Sequence, residues 1–326
     1  MRDENKLEIS ILKELVLNFL DADPLTLKLT PVRTGKHNTS NWIASNLGRF
    51  ILRIAPRDDS GLLFYEFKMM RQEPDLHALI RAKTHIPAPA IIGYDFSRLK
   101  FNRDYLLMEV LPGVPVNSAY WMTNALVQNT LRQVGGYLRE LHSLTATEHL
   151  GQTAYGYLGA HHPMAPQPTW GEAFHIMWNQ LLDDVMACGV YTRNEAQVFR
   201  DLLDYYRRVF DHPLSPCLLH MDVWNQNILV DKNGNVTGLL DFDRALWGDV
   251  ELEFAVLDYC GISEPAFWEG YGLPRDTSTE AQIRRQFYLL YEVQKYMPIC
   301  VWRTHNPQDT EEYKEYSFIL AAELLP

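Results

Sequence analysis

One short segment carries the residues whose types and spacing could do chemistry. It places a carboxylate at Asp222 and an amide at Asn227, and the apolar stretch that follows ends at Asp241. The residues between Asn227 and Asp241 are typical of a β-hairpin, because two apolar runs flank the tight-turn pair Asn233-Gly234. A hairpin holds its two ends side by side, so we expect Asn227 and Asp241 to lie close together.

An amide oxygen and a carboxylate in this position can share a hard divalent cation. Magnesium takes oxygen ligands, keeps waters, and is commonly held by one or two protein groups together with phosphates. Asn227 and Asp241 are therefore the predicted metal ligands. Asp222 precedes Asn227 in a loop, which leaves its carboxylate available to act on a hydroxyl group.

These residues resemble the phosphotransferases with the protein-kinase fold, and most closely the aminoglycoside phosphotransferase family. The string H-x-D-x-x-x-x-N, the hairpin, the acidic triplet Asp241–Asp243 and a strand-rich N-terminal part occur in the order such a kinase requires. The resemblance covers nearly the whole chain. It implies an α+β, protein-kinase-like fold of two lobes, with Asp222 as the catalytic aspartate and with Asn227 and Asp241 on the metal.

Two departures favour small-molecule kinases over protein kinases. Trp224 stands where most protein kinases have a lysine, and Asp243 replaces the glycine of D-F-G. We expect His220 to support the backbone of the loop and not to react. Further acids close to the metal segment are expected to support the site through hydrogen bonds, namely Asp243, Asp249, Glu251 and Glu253.

The resemblance also implies the residues that hold the nucleotide phosphates. Arg53 matches the strand-borne cation of the family, and its acidic partner on the following helix is Glu73, which fits better than Glu66. The plainer alternatives are an exposed strand residue and solvated helical acids.

A polar segment and a connecting segment complete the implied nucleotide site. Lys36, Thr39 and Ser40 lie where a phosphate-covering loop belongs, although an ordinary polar turn explains them equally well. The family reads adenine through backbone groups of the connecting segment. Here these would be the carbonyl of Glu109 and the amide of Leu111.

Hydrophobic periodicity predicts the elements that must position these residues. They are a helix over 7–19, two strands between residues 28 and 56, a helix over 66–83 kinked or restarted at Pro74, a strand over 105–111, the hairpin, and helices over 124–144, 170–188, 195–211, 277–300 and 309–324. Residues 160–169 are expected to form an irregular loop. The pair Pro112-Gly113 breaks the pattern, which predicts a nucleotide-binding lobe of residues 1–111 and a helical catalytic and substrate lobe of residues 112–326.

Composition argues against several classes of protein. The 326 residues are 47% hydrophobic and 22% charged, contain no apolar run long enough for a membrane span, and begin with acids on both sides of a helical face, unlike a secretory signal. The four cysteines are widely spaced, which argues against a zinc or disulfide framework and favours a cytoplasmic protein. A net charge of −11 argues against binding to nucleic acid or to an anionic membrane.

The charge is unevenly distributed along the chain. Residues 1–111 contain 16 basic and 14 acidic side chains, whereas residues 112–326 contain 14 basic and 27 acidic ones. If these acids line the substrate cleft, the acceptor is cationic, such as an aminoglycoside or another amine-bearing alcohol. If they are spread over the outer surface, they serve solubility alone.

The sequence thus predicts ATP-dependent, magnesium-assisted transfer of a γ-phosphoryl group to a small-molecule hydroxyl. One alternative is a metabolic kinase for a choline-like, thiosugar or homoserine-like alcohol. Another is a nucleotide-binding pseudokinase that regulates a partner, against which the complete set of Asp222, Asn227 and Asp241 speaks. The acceptor, the choice of ATP or another nucleoside triphosphate, and the oligomeric state are left open.

Overall fold

The N-terminal part of the chain is built around one antiparallel sheet. The computed structural model describes residues 8–32, 38–57, 59–158 and 165–325. The strands of the sheet and the two helices of this part are α1 (Ile9–Leu17), β1 (Lys28–Pro31), β2 (Thr39–Ser45), β3 (Gly48–Ile54), α2 (Glu73–Lys83), β4 (Ile91–Asp95) and β5 (Tyr105–Glu109). The sheet has the order β1-β2-β3-β5-β4. Helix α1 packs its buried residues Leu12, Leu15 and Val16 into one apolar cluster with Ile43 and Leu52 of the sheet.

The prediction of two strands between residues 28 and 56 is wrong, because three strands are present. Strands β2 and β3 pair through a two-residue turn that sets Ser45 opposite Gly48. That turn, Asn46-Leu47, lacks the Asn-Gly signal, and the buried Asn41 interrupts the apolar alternation of β2. Thr39 and Ser40 therefore lie on a strand and not in a loop, and Lys36 lies outside the described residues.

The predicted helix over 66–83 restarts at its proline. Two 3-10 turns, Phe64–Glu66 and Met69–Gln72, precede α2, which begins at Glu73. Pro74 lies in the first turn of the helix, where a backbone N–H has no intrahelical partner. The restart places Glu73 at the beginning of α2 with no exposed surface.

The C-terminal part is mainly helical and contains the predicted hairpin. Its elements are β6 (Val114–Pro115), α3 (Asn124–Leu141), α4 (Ala146–Leu150), β7 (Gly156–Tyr157), α5 (Trp170–Ala187), α6 (Arg193–Tyr206), β8 (Cys217–Leu219), β9 (Ile228–Val230), β10 (Val236–Leu239), β11 (Leu246–Gly248), α7 (Val250–Tyr259), α8 (Pro265–Tyr271), α9 (Thr279–Gln294), α10 (Tyr296–Ile299), a π-helical turn (Cys300–Thr304) and α11 (Pro307–Ala322). Strands β9 and β10 form the hairpin and pair antiparallel, and the short β6 pairs with the other side of β9. A second small sheet has the order β7-β11-β8 and was not predicted, since strands of two or three residues show no periodicity.

The predicted boundary at residues 111 and 112 falls in the connection between β5 and β6. The division into two lobes at that point stays a prediction. Of the predicted irregular loop, residues 165–169 precede α5 without helical structure, and residues 160–164 lie outside the described part of the chain. No helix in the described ranges is long and apolar enough to cross a membrane.

Helices α3 and α8 approach each other so closely that glycine is required at the contact. A Cβ atom on Gly135 would overlap the carbonyl oxygen of Phe267 and come within 2.7 Å of the amide nitrogen of Tyr271. The neighbouring Gly136 has open space, since its Cβ would meet nothing closer than 3.9 Å. An added methyl group should therefore lower the free energy of unfolding at Gly135 but not at Gly136.

We predict that Gly135→Ala lowers the free energy of unfolding by about 2 kcal/mol, because the helices must separate to admit the methyl group. The matched change Gly136→Ala should leave it unchanged or raise it by up to about 1 kcal/mol through helix propensity. Urea denaturation of both variants measures this difference. Equal effects of the two changes would contradict the packing described here.

Candidate active site

The hairpin brings Asn227 and Asp241 together, as the sequence predicts. The backbone N–H of Leu240 donates to the carbonyl of Asn227 at 2.9 Å, which ties the residue before Asp241 to Asn227. The side chain of Asp241 is 41% exposed. Its backbone has a φ of 68°, a left-handed conformation that is uncommon outside glycine.

Asn227 also holds the carboxylate of Asp222. Its Nδ2 donates to the backbone carbonyl of Asp222 at 2.9 Å and to Oδ2 at 2.7 Å. Burial raises the pKa of Asp222 to about 7, and the nearby charge of Asp241 adds to the rise, while Lys295 opposes it. A half-buried carboxylate with this pKa is suited to take a proton from a hydroxyl group.

The backbone that presents Asp222 is fixed by buried charged groups. The carboxylate of Glu253 accepts hydrogen bonds from the amide of His220 at 2.5 Å and from the amide of Met221 at 3.0 Å. Met221 has a φ of 67°, and the guanidinium of Arg244 donates to its carbonyl at 2.7 Å. The imidazole Nδ1 of His220 accepts from the amide of Asp222 at 3.3 Å, so His220 acts on the loop backbone as expected.

Arg53 is a buried cation and not an exposed strand residue. It donates to Glu73 at 2.6 Å, to Asp241 at 3.0 Å and to Asp243 at 2.9 Å. Burial disfavours its charge, but these three carboxylates together raise its pKa above the ordinary value. Glu73 is thus the acidic neighbour of Arg53, whereas Glu66 accepts from the amide of Leu63 and from Arg303.

Most of the predicted site residues line one cavity of about 780 Å³. Those that border it are Ser40, Arg53, Glu109, Leu111, Asp222, Asn227 and Asp241. Glu73 lies behind Arg53 and does not line the cavity. Thr39 is placed on the opposite face of β2, where its hydroxyl accepts from Arg103 at 3.4 Å, and Lys36 lies outside the described residues.

One end of the cavity is lined by apolar side chains, and we call it the apolar slot. Apolar side chains of Ile51 and Met108 on the sheet and of Leu229 and Leu240 at the hairpin border it. Glu109 ends β5 with its side chain accepting from the amide of Ala90 at 3.1 Å, which fixes the start of the connecting segment. The expected adenine contacts at Glu109 and Leu111 would lie at this end.

Sequence reasoning missed the residues at the other end of the cavity. They are Tyr65, Arg244, Tyr259, Cys260, Lys295, Tyr296 and Arg303. They come from separate elements and share no motif. Only the helical periodicity of the C-terminal region is visible in the sequence, and it does not distinguish a cavity-lining residue from a core residue.

The donor set fits a magnesium ion. Since the amide nitrogen of Asn227 is engaged by Asp222, its amide oxygen is the atom that remains for a cation. Asp241 contributes a half-exposed carboxylate that borders the same cavity. Two oxygen donors next to space for phosphates match the coordination that magnesium adopts with nucleotides.

Comparisons with known proteins find relatives in sequence and in fold. A probable ketoamine kinase of Vibrio parahaemolyticus is 25% identical over 266 residues, which are 79% of this chain and 82% of that protein. A candidate fructosamine-3-kinase of Thermobifida fusca has a TM-score of 0.67 at 16% identity over 97% of this chain and 99% of that one.

A thermostable mutant of the aminoglycoside phosphotransferase APH(4)-Ia, in a ternary complex with AMP-PNP and hygromycin B, has a TM-score of 0.62. It is 16% identical over 96% of this chain and 98% of that one. These likenesses confirm the protein-kinase-like fold predicted from the sequence. The model of the phosphotransferase enzyme family matches residues 28–316. The chain therefore belongs to the phosphotransferase enzyme family and is a small-molecule kinase that acts on an alcohol group.

Proposed function

We propose that the protein uses ATP and magnesium to phosphorylate a hydroxyl group of a ketoamine, a sugar derivative that bears an amine. One observation carries the phosphotransfer part of this proposal. Arg53 lies far along the chain from Asp222, Asn227 and Asp241, yet all four residues border the same cavity. Phosphoryl transfer depends almost entirely on positioning and charge neutralisation, for which this set is suited.

In the proposed complex the nucleotide base occupies the apolar slot and pairs with backbone groups of Glu109 and Leu111. Arg53 and Ser40 face the phosphates. Arginine offers a planar fork of donors, so Arg53 can hold phosphate oxygens while it keeps its contact with Glu73. The AMP-PNP in the complex of the aminoglycoside phosphotransferase supports a nucleotide at this place.

Asp222 orients the acceptor hydroxyl and takes its proton. Asn227 serves two purposes, because its amide nitrogen holds Asp222 and its amide oxygen would hold a magnesium ion. Magnesium held by Asn227 and Asp241 would neutralise charge on the phosphates. Glu253 and Arg244 keep the loop in the conformation that presents Asp222.

The names of relatives, and not the net charge, support a ketoamine as the acceptor. Among the described residues that line the cavity, the acids from the region 112–326 are Asp222, Asp241 and Asp243. The other acids of that region do not border the described cavity. The acidic excess therefore gives no support to a cationic acceptor, and the ketoamine proposal rests on the relatives named as ketoamine kinases.

A panel of acceptors tests the proposal. The protein is incubated with ATP, magnesium and, in separate reactions, ketoamines, aminoglycosides, choline-like alcohols, thiosugars and homoserine, and ADP release is followed. We expect ketoamines to be phosphorylated preferentially, with the added phosphate seen by mass spectrometry. Turnover of another class with ketoamines inert would refute the acceptor. Nucleotide binding without turnover of any acceptor would favour the pseudokinase.

Asp222→Asn should lower turnover by about two to four orders of magnitude, because proton acceptance and hydroxyl orientation are lost together. Nucleotide affinity should stay within about threefold of wild type, since the changed side chain is proposed to contact the acceptor hydroxyl and not the nucleotide. Steady-state kinetics and calorimetry separate the two effects. The exposed Asp201→Asn serves as the control, and near-normal turnover of the Asp222 variant would show that the base is assigned wrongly.

Asp241→Ala should weaken nucleotide binding by about tenfold or more in the presence of magnesium, because the metal loses its carboxylate. Without magnesium, the affinity should change little, since no metal bridge exists to be lost. Calorimetry with and without the metal measures both values. An equal loss under the two conditions would indicate a folding defect.

Glu253→Gln should lower the free energy of unfolding by about 2 kcal/mol and also reduce turnover. Both carboxylate oxygens accept from the backbone amides of His220 and Met221, and glutamine replaces one of these oxygens with an NH2 group that cannot accept. The exposed Glu315→Gln makes the same chemical change without a buried contact and should have no effect. Urea denaturation and initial rates provide the measurements. Unchanged turnover in the Glu253 variant would show that the loop keeps its conformation without this carboxylate.

A further inference from the structure

The end of the cavity away from the base slot contains a buried lysine. Lys295 follows the last residue of α9 and precedes α10, and its side chain is 6% exposed. It borders the same cavity as Asp222. A lysine is seldom buried unless its charge is matched, so the surroundings of this one are informative.

The charges around Lys295 are not balanced by the protein side chains that touch it. Its ammonium pairs with Glu292, but the same carboxylate also accepts from the guanidinium of Arg244 at 3.0 Å. One carboxylate therefore serves two cations. The ring of Tyr296, 4.8 Å from Nζ, adds a weaker attraction. Asp222 offsets part of the excess from a distance, but its oxygen is held by Asn227 and is needed for the hydroxyl.

The carboxylates that line the described cavity have other partners. Asp241 and Asp243 contact Arg53, and Glu66 is held by Arg303. Glu109 accepts from the amide of Ala90 beside the base slot. This end of the cavity, the acceptor end, thus presents an ammonium group whose contacting acid, Glu292, is shared with Arg244 and whose more distant acid, Asp222, is held by Asn227.

We propose that Lys295 binds a carboxylate of the acceptor and is a specificity-determining residue of the enzyme. Given the proposed function, on which this inference rests, the preferred acceptor is a ketoamine whose amine comes from an amino acid. An ammonium group has three N–H donors, so Lys295 can contact Glu292 and a substrate carboxylate together. Because Lys295 and Asp222 border one cavity, the acceptor's carboxylate and its reacting hydroxyl lie in the same site.

A second role for a cation near Asp222 must be separated from this one. Protein kinases carry a lysine where this chain has Trp224, and Lys295 could take its place beside the transferred phosphoryl group. That role would make Lys295 equally important for every acceptor. A carboxylate-binding role makes its importance depend on the acceptor.

The test compares two acceptors that differ in one charge, the fructosamine of glycine and the fructosamine of glycinamide. We expect wild type to prefer the carboxylate by about ten- to a hundredfold in kcat/KM. Lys295→Met, which keeps the apolar stem, should bring the two values within about threefold of each other, whereas the loss of its charge beside Asp222 acts on both acceptors alike and leaves their ratio unchanged. Lys295→Arg keeps the charge and should retain part of the preference. Thermal unfolding and nucleotide affinity show whether each variant is folded. If Lys295→Met is not folded, Lys295→Gln is used in its place.

Two results would overturn the inference: no preference in wild type, or an unchanged preference in Lys295→Met, whether the two values stay the same or fall equally. If wild type phosphorylates neither fructosamine, the proposed ketoamine acceptor has failed instead. The same carboxylate and carboxamide comparison is then made with the acceptor class that the panel identifies. A preference that depends on Lys295 there would keep this inference, and its absence would overturn it.

Discussion

The buried guanidinium of Arg53 is the contact on which the rest of the site depends. It joins β3, the beginning of α2 and the acids that follow the hairpin, which are three elements from distant parts of the chain. Three carboxylates surround this one cation, in a place where unbalanced charge costs several kcal/mol. Burial accordingly raises the pKa of Glu73 and of Asp243. A divalent cation at Asp241 would relieve this excess, so the contact that joins sheet to hairpin also favours the metal.

Two residues of the site hold a backbone conformation that is costly outside glycine. Met221 and Asp241 both have φ near 70°, and each adjoins a proposed functional atom. The hydrogen bonds of Glu253 and Arg244 hold Met221, and the tie between Leu240 and Asn227 holds the chain before Asp241. Glu253 and Arg244, which have no proposed part in the chemical step, therefore maintain the geometry on which the proposed chemistry rests.

Local signals made the hairpin and the restarted helix predictable. An Asn-Gly turn between apolar runs and a proline at a helix start each determine backbone conformation within a few residues. Strand β2 was missed because its turn is Asn46-Leu47 and its inward residue Asn41 is polar. The role of Arg53 required the resemblance, and its partners Asp241 and Asp243 lie far along the chain.

Lys295 had no signal at all, because an ammonium group enters a cavity through tertiary packing and not through local periodicity. The same independence holds for the whole acceptor end. Its wall comes largely from the end of α7, Lys295 between α9 and α10, α10 itself and the π-helical turn, whereas the phosphotransfer residues of the C-terminal part lie between 220 and 243. Substitutions in the wall of the acceptor end therefore need not change the phosphotransfer residues. Such a division lets a lineage exchange one acceptor for another through a few substitutions near the C-terminus, while the chemistry is inherited unchanged.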